Sequence, residues 1–260
     1  DKSELNKNVL VDVSVVSDVK PFLQKLLPLI EKKEHREWVA QATEWKNKSG
    51  DVKCQEADLH PSEIVTAVCD MTDKDTIYVT DVGQHQMWAA QYYKYSSPRT
   101  FLSSGGLGTM GYGLGACIGA KMGQPEKICI NIAGDGCFRM NMNEMATLSR
   151  YNIPVIQVVM NNHVLGMVRQ WQTLFYEKRY SQTILQDKVD FVKVAEATGV
   201  KSFRITKKEE VETVFKEALA LNEPVFIECV INEDEKVWPM VAPGAAISDV
   251  FTEEDLKNKK

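Results

Sequence analysis

The amino-acid sequence predicts an α/β fold, a doubly wound parallel sheet with helices on both faces. Three observations carry that prediction. Short apolar runs at 127–133, 154–160 and 224–231 lack polar alternation, as strands buried on both faces do. Stretches with apolar residues at helical spacing lie between such runs, for example Met142, Met145, Ala146 and Leu148. The interval from 127 to 160 is a strand, helix and strand of crossover length, which brings both strand ends to one edge of the sheet.

Taken in order, residues 9–16 alternate as a short strand. Asp18 to Lys32 reads as a helix with Asp18 near its cap and Pro21 in its first turn, and Pro28 interrupts it or ends it early. His35 to Lys48 is a second helix carrying Trp38, Val39, Ala42 and Trp45. Asn47 to His60 is a polar connector and places a domain boundary there. From Pro61 the pattern becomes helix 61–71, strand 76–81, helix 84–94, helix 111–122, strand 127–133, helix 140–150 and strand 154–160. It continues with helix 167–175, helix 189–198, strand 201–205, helix 207–221 and strand 224–231. The domain plan is therefore 1–45, a linker at 46–60, a main domain at 61–232 and a tail at 233–260.

A chain of 260 residues can bury a sizeable core. Its 31 basic and 36 acidic residues make it mildly acidic, which argues against nucleic acid or a membrane surface as partner. No apolar run approaches the roughly 18 residues of a membrane-spanning helix. The six cysteines, at 54, 69, 117, 129, 137 and 229, form no Cys-x-x-Cys pair and read as reduced core residues of a cytoplasmic protein. No signal peptide is expected, and a chain opening on Asp1 is expected to be a piece of something longer.

The most specific motif is Gly134-Asp135-Gly136, followed after 24 residues by Asn161-Asn162. Each stands at the carboxyl end of a predicted strand, the edge where open α/β sheets bind ligands. Magnesium takes hard oxygen ligands from one or two protein groups and shares the rest with phosphates. Asp135 offers a carboxylate and Asn162 an amide oxygen, while the glycines let the backbone approach a diphosphate closely. The pattern reads as the metal and diphosphate half of a thiamine diphosphate site. A turn and a loop holding no ligand is the alternative for either motif alone.

Gly106-Leu107-Gly108-Thr109-Met110-Gly111 also satisfies the dinucleotide fingerprint G-x-G-x-x-G. Its context is poor, because the preceding 100–104 is barely apolar and no acidic residue ends the next strand about 20 residues on. A glycine loop carrying another cofactor accounts for the same residues.

Three segments, Asp81 through Gln91, Ser104 through Gly113 and Asn161 through Tyr180, resemble the large catalytic subunit of acetolactate synthase. The resemblance covers roughly residues 61–247 and implies the diphosphate-binding domain of the thiamine diphosphate-binding fold. It implies magnesium held by Asp135, the Asn162 side chain and the Val164 carbonyl. Gly83, Gln84, His85, Gly136 and Cys137 would touch the diphosphate, with Val82, Gly134 and Gly166 lining the same site. The Gly108 carbonyl would accept from the aminopyrimidine and Met110 would wedge beneath the bent cofactor, with Met167 and Val168 on the other side. Trp171, one helical turn after Met167, would select the second 2-keto acid, although such a residue can equally hide roughly 150–250 Å² in a core. Gly108, Met110 and Trp171 are thus the expected catalytic positions.

The family decarboxylates pyruvate and transfers the hydroxyethyl unit to a second 2-keto acid, pyruvate or 2-ketobutyrate, in branched-chain amino acid biosynthesis. It works as a homo-oligomer in which a partner's pyrimidine-binding domain supplies an activating glutamate, and often with a regulatory small subunit. Nothing in this sequence resembles that domain, so the chain alone is expected to be inactive. Residues 1–45 resemble the end of the family's FAD-binding middle domain, with Ser17 before Asp18 where the family usually has Gly. Gly115 replaces a common Pro. His35 and His60 are expected on the surface, His85 at a phosphate, and His163 is unassigned. Another thiamine diphosphate enzyme (pyruvate oxidase, glyoxylate carboligase or a 2-keto acid decarboxylase) or a non-catalytic cofactor-binding module remain the alternatives.

Overall fold

A computed structural model describes residues 1–48, 59–185 and 188–258. The chain divides into two compact units, Asp1–Lys53 and Cys54–Lys260. Most of the predicted connector, with Cys54, lies outside the described residues.

The first unit holds α1 (Val19–Leu26) and α2 (Arg36–Lys48). Residues 9–16 form no strand: they have no partner strand among the described residues, and alternation alone cannot satisfy a strand's backbone groups. The helix expected over 18–32 is shorter, since α1 gives way to a 3₁₀ turn at Leu27–Leu29 that contains Pro28.

The second unit is built on six parallel strands: β1 (Ile77–Thr80), β2 (Phe101–Ser103), β3 (Cys129–Gly134), β4 (Val155–Asn161), β5 (Lys201–Ile205) and β6 (Val225–Val230). Their order across the sheet is β2-β1-β3-β4-β6-β5, and all five pairings are parallel. The strand β2 is absent from the sequence-based expectation. It is a three-residue edge strand, half-buried, and needs little apolar character.

Alternate residues along each strand build two cores. Ile130 and Ile132 of β3, with Ile156, Val158 and Met160 of β4, pack beneath α3 (Pro61–Met71), α4 (Gln84–Tyr92) and α10 (Lys208–Ala220). Cys129 and Ala133, with Val155 and Val159, face α5 (Tyr112–Gly123), α6 (Asp135–Asn141), α7 (Met145–Tyr151) and α9 (Phe191–Ala197). Val211, Phe215 and Ala218 of α10 show the spacing that lets a helix bury one stripe. The sheet is therefore doubly wound, as expected. The single helix expected over 140–150 is instead α6, a 3₁₀ turn at Met142–Glu144 and α7. Helical structure begins at Asp135, earlier than the apolar spacing signals.

The remaining helices, α8 (Gly166–Phe175) and α11 (Glu253–Asn258), belong to the carboxyl edge and the tail. Met240 and Phe251 pair as an isolated antiparallel bridge, and Phe251 meets Phe175 and Trp238 edge-on. Gly115 is exposed on α5, and a Cβ there would meet nothing within 4 Å. Gly115→Ala should therefore raise stability by about 0.5–1 kcal/mol, because alanine loses less backbone entropy in a helix. Urea denaturation of the two proteins checks this; an unchanged or lower midpoint would contradict it.

Candidate functional site

The chain reverses direction in the sheet between β1 and β3, since β1 leads outward to β2 and the chain then crosses back to β3. A crevice opens at the carboxyl ends of strands at such a switch point. Here it receives the loops after β1, β3 and β4, three neighbouring strands. The resulting cleft of about 190 Å³ is lined by Val82, Gly83, Gln84, His85, Gly108, Met110, Gly134, Asp135, Gly136, Cys137, Asn162, Val164, Gly166, Met167 and Val168. Trp88, Met160 and Leu165 complete its wall. Fifteen positions singled out from the sequence thus converge on one cleft.

Asp135 is buried, and its Oδ2 has no hydrogen-bond partner. Desolvation pushes its carboxyl up to about 6, against the opposing pull of the Gly136 amide and Arg139. An unpaired buried carboxylate is costly unless a cation or proton meets it. Among the described residues no group of three His, Cys, Asp or Glu side chains could hold a metal. A cation here would depend on one carboxylate and neutral oxygens, the donor set of magnesium.

The two asparagines separate by strand alternation. Asn161 donates to Glu228 Oε1 at 2.7 Å and accepts the His163 N–H on its Oδ1 at 3.1 Å, so it braces the loop. Arg204 holds the other Glu228 oxygen at 2.6 Å. Asn162 faces the cleft, with Oδ1 accepting from the Val164 N–H at 3.3 Å and a lone pair remaining.

His85 is wedged between two loops. A Cβ on Gly83 would meet its ring at 2.8 Å, and one on Gly134 would meet it at 2.8 Å. Burial lowers its pKa to about 4, so the ring is neutral at pH 7, and its Nε2 has no partner. A neutral imidazole carries one N–H, so the ring brings no charge to an anion and can donate to one only in the tautomer with that hydrogen on Nε2. The Cys137 thiol donates to the Val82 carbonyl at 2.9 Å, and burial pushes it up to about 12. Only its backbone is left for a ligand.

The glycine loop after β2 turns through left-handed conformations at Gly108 (φ 65) and Gly111 (φ 90). Residue types with a Cβ resist that region. Asp81, at the end of β1, anchors the loop by accepting from the Gly111 N–H at 2.8 Å and the Gly113 N–H at 3.1 Å. This places Met110 over Gly136, where an added Cβ would lie 3.7 Å from the Met110 Cε. The dinucleotide reading fails on topology as well. The strand after the glycine loop is β3, which lies beyond β1 and does not neighbour β2, whereas a dinucleotide βαβ unit pairs its two strands.

Beyond Met167 and Val168 the cleft meets an outer hollow of about 670 Å³, shared with Trp171, Gln172, Tyr176 and Arg179. Trp171 is 38% exposed rather than packed in a core, and it stands edge-on to Phe175. Met167 and Trp171 share this hollow, as one helical turn allows.

His60 departs from expectation. It is buried and its Nδ1 lies 2.8 Å from Glu235 of the tail, an approach between distant residues that local polarity conceals. Asp81, which anchors the glycine loop, is a positioning residue that sequence reading missed. The carboxylate before Val82-Gly83 carried the one available signal, a charged residue ending an apolar strand.

Residues 81–229 match the family described as "Thiamine pyrophosphate enzyme, C-terminal TPP binding domain". A protein of Methanocaldococcus jannaschii named "Probable acetolactate synthase large subunit" is 42% identical over 96% of this chain and 44% of its own length. The "Acetolactate synthase large subunit" of Lactococcus lactis is 40% identical over 98% of this chain and 45% of its own. That of Haemophilus influenzae is 37% identical over 96% and 45%. The chain thus spans less than half the length of these curated relatives. With the family match running from the loop after β1 into β6 and taking in every residue that lines the cleft, the chain belongs to the thiamine pyrophosphate enzymes, in the family of their C-terminal TPP-binding domain.

Proposed function

We propose that this chain supplies the diphosphate and magnesium half of an acetolactate synthase. The observation that carries the reading is the cleft in which Asp135 Oδ2 and His85 Nε2 are buried without partners among five glycines. One atom lacks a cation and the other is open to an anion, which is what a metal diphosphate brings. The similarity to proteins named acetolactate synthase supports the choice among thiamine diphosphate enzymes.

Asp135, Asn162 Oδ1 and the Val164 carbonyl would hold Mg²⁺. Gly83, Gln84, His85, Gly136 and the Cys137 backbone would meet the diphosphate. Val82, Gly134 and Gly166 keep the walls close. The Gly108 carbonyl would accept from the aminopyrimidine, Met110 would support the cofactor from below, and Met167 and Val168 would close the other side. Bound thiamine diphosphate supplies the carbanion chemistry that 2-keto acid decarboxylation requires. Trp171 and the outer hollow would receive the second 2-keto acid, pyruvate or 2-ketobutyrate.

The assembled enzyme would be a homo-oligomer in which a partner's pyrimidine-binding domain completes the site, with a regulatory small subunit possible in the family's manner. The five described cysteines are free thiols, which suits a cytoplasmic enzyme. No described helix is long and apolar enough to cross a membrane. The family resemblance of residues 1–45 to a flavin domain finds no cradle in this unit alone: no residue from 1 to 47 is buried, and Val15, Val16 and Val19 are exposed.

By itself the 260-residue chain is expected to form little acetolactate from pyruvate in a colorimetric acetoin assay. Adding a relative's pyrimidine-binding domain in the same reaction should raise the signal, and 2-ketobutyrate should divert product to the mixed acid. Full turnover by the chain alone would overturn the half-site reading. Acetaldehyde release or oxygen consumption in place of acetolactate would point to a decarboxylase or an oxidase.

A further inference from the structure

We propose that Gln170 is a positioning residue whose carboxamide, locked by the backbone of Val237, holds the nitrogen end of the Asn162 amide away from the cation through Gln84, while the Val164 N–H holds its oxygen end. Gln170 lies on α8, is buried, and does not line the cleft. Val237 donates its N–H to Gln170 Oε1 at 2.9 Å, and its carbonyl accepts from Gln170 Nε2 at 3.0 Å. A backbone N–H only donates and a backbone carbonyl only accepts. Both ends of the Gln170 carboxamide are therefore set by groups that cannot exchange roles.

The same polarity then passes inward. Gln170 Oε1 needs a donor on its other side and receives Gln84 Nε2 at 2.8 Å. That nitrogen also donates to the Glu235 carbonyl at 2.8 Å. With both hydrogens of Gln84 directed at acceptors, its Oε1 is the end that meets Asn162 Nδ2, at 3.5 Å. Asn162 Oδ1 is then on the opposite side, where the Val164 N–H donates to it at 3.3 Å and supports the same orientation. Turning the Asn162 amide over would set two oxygens against each other at Gln84 and present an NH₂ group to the metal. Hydrogen bonds around a metal ligand generally fix its orientation in this way.

The tail segment 235–237 follows β6, more than 60 residues after α8 begins, so a remote piece of chain reinforces the polarity of a ligand in the loop after β4. The inference rests on the proposed role of Asn162 as an oxygen ligand.

The test uses Gln170→Met, which keeps length and volume but removes both hydrogen-bonding ends. Without ligand, the side-chain NH₂ groups of Gln84 and Asn162 should exchange slowly with solvent in the wild-type protein and rapidly in Gln170→Met, read by ¹H–¹⁵N spectra. The Mg²⁺ concentration that half-saturates thiamine diphosphate binding, read by calorimetry, should rise about 10- to 100-fold. In an Asn162→Asp background the two carboxylate oxygens are equivalent, and Gln170→Met should then change the Mg²⁺ requirement by less than about threefold. An equal loss in both backgrounds would mean that Gln170 is only part of the packing, and an unchanged Mg²⁺ requirement in Gln170→Met would also overturn the inference. Should the wild-type protein bind thiamine diphosphate without Mg²⁺, the proposed function fails. The exchange measurement still decides the relay, because slow NH₂ exchange persisting in Gln170→Met would refute it.

Discussion

Asp135→Ala is expected to abolish magnesium-dependent thiamine diphosphate binding, with affinity falling at least about 100-fold in calorimetry. Among the described residues the carboxylate is the single anionic group lining the cleft, and without it a diphosphate would meet no carboxylate-bound cation there. Asp135→Asn should have the opposite effect on the ligand-free fold. Burial holds the Asp135 carboxyl up at about 6, above the 3.8 of an ordinary aspartate, so the folded state binds a proton that the unfolded state has released between those values. Stability therefore falls as pH rises from about 4 to about 6 and stays lowered above that. A shift of about two units corresponds to roughly 3 kcal/mol gross. The neutral amide should recover about 1–2 kcal/mol of it at pH 7, allowing for the amide's own unmet hydrogen bonds. Urea unfolding at pH 4.5 and pH 7.5 reads the difference. A variant no more stable than wild type at pH 7.5, together with unchanged magnesium dependence in Asp135→Ala, would remove this residue from the site.

The second large effect is expected at Gly166. It opens α8 with no left-handed φ, and alanine is otherwise the better helix residue by about 1 kcal/mol. A Cβ there, however, would overlap Gln84 Oε1 and come within 2.8 Å of Asn162 Nδ2. Gln84 cannot simply withdraw, because its amide is tied to Gln170 and to the Glu235 carbonyl. Gly166→Ala should break those two hydrogen bonds, one buried and one partly buried, and displace Asn162, lowering stability by about 2–4 kcal/mol. Magnesium-dependent cofactor binding should fall with it. Wild-type stability and affinity in this variant would show that the two carboxamides have room to move, contrary to the packing seen here.

The paired effects separate what each glycine is for. Gly115 is exposed on a helix with open space around it, so alanine should help. Gly134 and Gly83 make room for the His85 ring, and Gly166 for two carboxamides. In sequence all four are simply glycine, and their roles differ only in what lies across from the missing Cβ.

Much of this molecule was legible before any coordinates. Strands β3, β4 and β6 are uninterrupted or nearly uninterrupted apolar runs, and such runs have few places to go other than a sheet covered on both faces. Asp135 and Asn162 were legible for the same reason, since each is the polar residue at which a buried strand stops. Strand β2 was not, because an edge strand of three residues pairs on one side and needs little hydrophobic signal. The false strand at 9–16 had the alternation but has no partner strand among the described residues, and alternation cannot supply one.

What the amino-acid sequence determined by itself was therefore local: where apolar runs begin and end, which polar residues close them, and which loops contain glycine. Only the tertiary structure decided which of those residues meet. Asp81 reaches Gly111 and Gly113, His60 reaches Glu235, and Gln170 reaches Val237 across 67 residues. Each of these is a buried polar group whose partner lies on a distant element. A hydrogen bond or an ion pair depends on distance in space, and spacing along the chain carries no record of it.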